Sequence, residues 1–138
     1  MRIVLDTNVL VSGLLQPFGP PGQLVRLVAS GELVLAHDPR ILAEYQDVLR
    51  REKFAFDAER VDALLEEIRA GGLPVAARPL AIRLADPGDE PFLEVALAGG
   101  ARCLVTGNVK HYPAEARRGL DVLTPRSFIE LFRSHSGS

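Results

Sequence analysis

Apolar residues recur along this chain in two rhythms. Short unbroken runs, Ile3-Val4-Leu5, Leu33-Val34-Leu35-Ala36 and Cys103-Leu104-Val105, are bounded by polar or small residues. Runs of that length, apolar at every position, predict strands buried on both faces. Elsewhere apolar residues return every three or four positions: Ile41, Leu42, Tyr45, Val48 and Leu49; Val61, Leu64, Leu65 and Ile68; Phe92, Leu93 and Ala96. That spacing predicts helices with one buried face. Turn and cap residues set the boundaries. Arg2 to Leu5 is a strand, and helices at Val9 to Leu15 and Gln23 to Ala29 flank the Pro- and Gly-rich loop Gln16 to Gly22. A strand at Leu33 to Ala36 leads to a helix opened by Asp38-Pro39, an N-cap followed by proline, and running to about Glu52. Asp57 caps a helix that ends at Gly71-Gly72, before a short strand at Leu73 to Ala76. A helix from Glu90 to Leu97, strands at Arg102 to Thr106 and Asp121 to Leu123, and a helix opened by Thr124-Pro125 through Phe132 complete the chain. Alternating strands and helices predict an α/β fold: a central, mostly parallel sheet of four to five strands with helices on both faces. One domain over 1–134 and a disordered tail over 135–138 are expected.

Ligands of such sheets bind beyond the carboxyl ends of the strands. Here the first strand ends in Asp6-Thr7-Asn8 and the fourth in Thr106-Gly107-Asn108. Asp6 has two readings of about equal weight, a helix N-cap or one arm of a metal site. An ionised carboxylate at the end of a buried strand needs a partner. Glu44 borders the apolar face of its helix, whereas Asp47 points away from it. Edge charges of amphipathic helices are common, and Glu52, at the frayed end, is a weaker candidate. Asp89 heads the face made by Phe92, Leu93 and Ala96, and Asp86 and Glu90 compete with it for capping. Three carboxylates brought together repel unless a cation neutralises them. Oxygen donors without paired His or Cys favour Mg²⁺ or Mn²⁺ over zinc. Such a site suits phosphodiester hydrolysis.

Composition narrows the classes. A chain of 138 residues, 47% hydrophobic and 25% charged, suits one globular domain. The net charge of −2 excludes nucleic-acid binding through bulk charge, so any such contact uses a local patch. A single cysteine, Cys103, excludes an internal disulfide and a cysteine-based zinc cluster, and its apolar run makes it a core residue. Asp6 and Asn8 interrupt the apolar N-terminus, which makes a poor signal peptide, and no run is long enough to span a membrane. Cytoplasmic residence is expected.

These features together resemble PIN-domain nucleases. The resemblance rests on Asp6-Thr7-Asn8 after the first strand, Glu44 on the third helix, Asp89 heading Glu90-Pro91-Phe92-Leu93-Glu94-Val95-Ala96-Leu97, and Leu104-Val105-Thr106-Gly107-Asn108. It covers Arg2 to about Phe132, and the order and spacing of the motifs are more specific than any one of them. It implies a single PIN-like domain and a metal-dependent (Mg or Mn) ribonuclease. Many members are the toxin of a type II toxin–antitoxin pair, neutralised by a small partner protein. By this resemblance Asp6, Glu44 and Asp89 match the three principal catalytic and metal-binding acids. The fourth acidic position falls at Asn108, which can offer an oxygen but no charge. Weaker metal binding, with one tight ion instead of two, is then expected. Asn8 and Thr106 match positions that shape the site through hydrogen bonds.

Lys110 and His111, next to Asn108, are candidates to hold RNA phosphates, and His111 is a weaker candidate for general acid or base. Arg50, Arg51 and Lys53, and Arg117 and Arg118, read as solvated surface charge. Val61, Leu64, Leu65 and Ile68 suit core packing, although related proteins use this half of the fold to bind the antitoxin or to form a homodimer. Asn108 keeps open a second function, a PIN-like module that binds RNA or protein with little or no cleavage. A haloacid-dehalogenase-type phosphatase also places Asp at a strand end, but it needs a second Asp where Asn8 stands.

Overall fold

A computed structural model describes residues 1–136. The elements in order are β1 (Arg2–Leu5), α1 (Thr7–Leu15), α2 (Pro20–Ala29), β2 (Val34–His37), α3 (Pro39–Leu49), α4 (Ala58–Gly71), β3 (Leu73–Pro74), α5 (Glu90–Ala98), β4 (Cys103–Val105), α6 (Ala114–Arg117), β5 (Asp121–Leu123) and α7 (Pro125–Ser136). All strand pairs are parallel, in the order β3-β2-β1-β4-β5. The α/β class and the parallel sheet are as the apolar runs predict. The chain builds outward from β1 to β2 and β3, then crosses back to β4 and β5. Right-handed crossovers, the near-universal rule, put α1 to α4 on one face and α5 on the other. Accordingly α5 packs on β1, β2 and β4, and α2 packs on α1, α4 and α7.

β1 and β4 lie side by side where the strand order reverses. Leu5 pairs with Val105, so Asp6 and Thr106 leave the sheet together at its carboxyl edge. Residues Ile3 to Leu5 and Cys103 to Val105 are fully buried, as strands covered on both faces require.

Several boundaries differ from expectation for local reasons. α1 starts at Thr7 and α2 at Pro20, because proline fits the first turn, where no N–H is needed. α3 stops at Leu49, and a 3-10 turn at Glu52–Phe54 follows, closed by Ala55 in the left-handed region (φ 51°). Asp38 caps α3, accepting from the Ile41 N–H at 3.0 Å, as expected. Asp57 occupies the N-cap position of α4 without a side-chain cap bond. α7 continues beyond Phe132 to Ser136, and residues 137–138 of the expected tail lie outside the described residues. Among the described residues no helix is long and apolar enough to cross a membrane.

Candidate active site

Asp6 stands at the N-cap position of α1, yet its side chain makes no cap bond. Its Oδ2 instead accepts hydrogen bonds from Thr106 Oγ1 at 2.9 Å and Tyr112 OH at 3.0 Å. Both donors are fully buried and Asp6 nearly so. Two donors on Oδ2 fix the carboxylate and leave Oδ1 for the crevice. Thr106 also accepts from the Asn108 N–H at 3.0 Å, which turns the chain at the end of β4. Asn8 Oδ1 accepts from the Gly107 N–H at 3.0 Å and ties the first turn of α1 to the same bend. Asn8 and Thr106 thus stitch the two strand ends together.

Glu44 arrives from α3. Tyr45, its neighbour, is completely buried and donates its hydroxyl to the carbonyl of Leu5, docking α3 on the last residue of β1. Glu44 itself is half-buried and accepts through Oε2 from the hydroxyl of Thr7. Thr7 therefore belongs to the site. Only its place between Asp6 and Asn8 hints at this in sequence.

Asp89 comes from the opposite face, at the head of α5. Asp86 makes the local turn by accepting from the Gly88 N–H at 2.8 Å, and Asp89 makes no cap bond. The other acids of α5 are engaged elsewhere. Glu90 accepts from Arg83 and the Leu84 N–H, and Glu94 from Arg40 and the Leu80 N–H. Both pin the irregular segment that crosses this face. Asp89 Oδ2 lies 3.0 Å from His111 Nδ1.

Electrostatics link the three acids. Burial raises the pKa of Asp89, and the Asp6 and Asp86 carboxylates raise it further, against the opposing pull of His111. The Tyr112 phenol is pushed far up by burial, then by Asp6, Asp89 and Glu44. Tyr45 is raised by burial and by Asp6 and Glu44. One hydroxyl thus feels all three carboxylates. They are not closed to chelating distance: among the described residues no group of three or more His, Cys, Asp or Glu is ready to hold a metal. The donor set still fits a hard divalent cation, being oxygen-rich and self-repelling at Asp89.

Asn108 is exposed at the rim, as are Lys110 and His111. Glu52 is exposed outside α3. Arg50 and Arg51 pair with Asp62 and Asp47, the solvated face expected of them. Arg117 differs from expectation. Its guanidinium donates to the carbonyls of Tyr112 at 2.6 Å and Val109 at 3.3 Å, holding the segment that carries His111 and Tyr112. Val61, Leu64 and Ile68 are buried, with Leu65 partly so.

No curated protein matches this chain. A family model described as the PIN domain matches residues 2–110, which include Asp6, Glu44, Asp89 and Asn108. Belonging to the PIN domain family, the chain is built on a nuclease-type fold.

Proposed function

We propose that this protein is a divalent-metal-dependent ribonuclease hydrolysing RNA phosphodiester bonds, and that it serves as the toxin of a toxin–antitoxin pair. The observation that carries the reading is the convergence of Asp6, Glu44 and Asp89 on the Tyr112 hydroxyl at the reversal of strand order. Asp6 Oδ1, Asp89 and Glu44 would hold Mg²⁺ or Mn²⁺, with Asn108 contributing a neutral oxygen. When bound, the ion supplies a water of lowered pKa and neutralises charge on the phosphate oxygens. Thr106 and Tyr112 keep Asp6 ionised and oriented through their donated hydrogen bonds. Thr7 orients Glu44. Lys110, exposed beside the rim, binds a flanking phosphate by charge.

RNA cleavage measured with Mg²⁺ or Mn²⁺, and with a chelator, tests the activity. Wild type should cleave only with metal, and Asp6→Asn should lose at least about a hundredfold in rate. Equal rates in both proteins would overturn the role of Asp6. Induced expression in a bacterial host should arrest growth with wild type and not with Asp6→Asn. A second reading, an RNA-binding module without cleavage, draws support from the uncharged Asn108 and the unclosed acids. It requires metal-independent RNA binding with no cleavage in the same assay.

A further inference from the structure

His111 is the unexpected member of this crevice. Its Nδ1 lies 3.0 Å from Asp89 Oδ2, and its side chain is 49% exposed. Its backbone is fixed on both sides. Its N–H donates to the Asn108 carbonyl at 2.9 Å, and the next residue, Tyr112, is locked by Asp6 and Arg117. The matched family region ends at Lys110, immediately before it.

We infer that His111 supplies the donor that position 108 lacks: with Asp89 it forms a nitrogen–oxygen pair that holds the divalent cation and makes this site prefer Mn²⁺ to Mg²⁺. The inference rests on reading the crevice as a metal site. The separation suits the role. Two donors about 2.1 Å from one ion and at right angles to each other lie about 3 Å apart. Without an ion, a nitrogen and a carboxylate oxygen at 3.0 Å must share a proton. An ion takes that place once the ring carries its proton on Nε2, which the exposure of the side chain lets water receive. Asn108 adds no charge at the rim, so the fourth strong donor has to come from elsewhere. Among the described groups next to Asp89, His111 is the one in contact with it. Mg²⁺ retains oxygen ligands and water, whereas imidazole nitrogen favours first-row transition ions.

Calorimetric titration of Mn²⁺ and Mg²⁺ into wild type, His111→Ala and Asp6→Asn tests this, together with pulsed electron paramagnetic resonance of bound Mn²⁺. Wild type should bind Mn²⁺ at least about tenfold more tightly than Mg²⁺, and His111→Ala should lose about that factor for Mn²⁺ while nearly keeping its Mg²⁺ affinity. The wild-type Mn²⁺ signal should carry nitrogen hyperfine coupling that His111→Ala lacks. No nitrogen coupling in wild type, or equal losses for both ions in His111→Ala, overturns the inference and leaves His111 as a residue that only positions Asp89. Mn²⁺ binding by Asp6→Asn as tight as by wild type, or no binding by any of them, instead removes the metal site itself.

Discussion

Asp89 carries its charge against its surroundings in the metal-free protein. Burial and the Asp6 carboxylate both favour its neutral form, and the contact with His111 only partly offsets them. At neutral pH the same carboxyl is ionised in the unfolded chain, so the shift opposes folding. Asp89→Asn removes the repulsion, keeps nearly the same shape and still offers an oxygen to His111. Its melting temperature in chelator should exceed that of wild type, and added Mn²⁺ should no longer raise it. A lower melting temperature in chelator would show that Asp89 is held by its contacts more than it is strained by its charge. Site residues such as this one commonly trade stability for function. Asp89 was legible in sequence because it heads an apolar helix face. Asp6 was ambiguous until its side chain was seen bonded to Thr106 and Tyr112 rather than to its own helix. Tyr112, Thr7 and Arg117 were not legible as site residues. Tyr112 reaches a partner 106 positions away from within a short turn, where no periodicity marks its direction.

The first turn of α1 carries Thr7 and Asn8 and follows Asp6 directly, so the seating of this helix decides the geometry of the site. α1 packs closely on α2, and Gly13 makes the approach possible. A Cβ at position 13 would lie 2.5 Å from Val25 Cγ2 and 2.6 Å from the Pro21 carbonyl oxygen. The carbonyl belongs to the backbone and cannot yield as a side chain can. Gly→Ala inside a helix gains about 1 kcal/mol in propensity, but overpacking of this kind costs about 1–3 kcal/mol. Gly13→Ala should therefore be neutral to destabilising by up to about 2 kcal/mol in urea denaturation. It should also weaken Mn²⁺ binding, because α1 must shift at the end that carries Asn8. A stabilised variant with wild-type Mn²⁺ affinity would mean that the two helices separate freely. The elements themselves were largely legible, since unbroken apolar runs marked β1, β2 and β4 and helical spacing marked α3, α4 and α5. The ends were less so. The prolines that open α2 look like loop in sequence, and the four residues of α6 are too few to display a period.

Across the whole molecule the same buried polar groups that organise the sheet set its tolerance of alkali. Cys103 is fully buried in β4, and burial pushes its thiol from 9.0 up to about 12. Tyr45 and Tyr112, at the two sides of the crevice, are also raised by burial and by the nearby carboxylates. Each group keeps its proton more tightly folded than unfolded. The stability each contributes is complete below its unfolded pKa and is lost as pH rises toward the folded value. The thiol titrates first in the unfolded chain, at 9.0, and the phenols follow at 10.0. Between these values Cys103 dominates the slope, and above them all three act together. A single group in its window lowers stability by at most about 1.4 kcal/mol per pH unit. Urea unfolding followed from pH 8 upward should therefore show wild-type stability declining above about pH 9, steepening once the phenols join. Cys103→Val keeps an apolar side chain of similar size in β4 and removes the first titration, so its decline should begin about one unit later. The same onset in both proteins would mean that the thiol ionises without unfolding the sheet, and that the alkaline limit belongs to the phenols around the crevice.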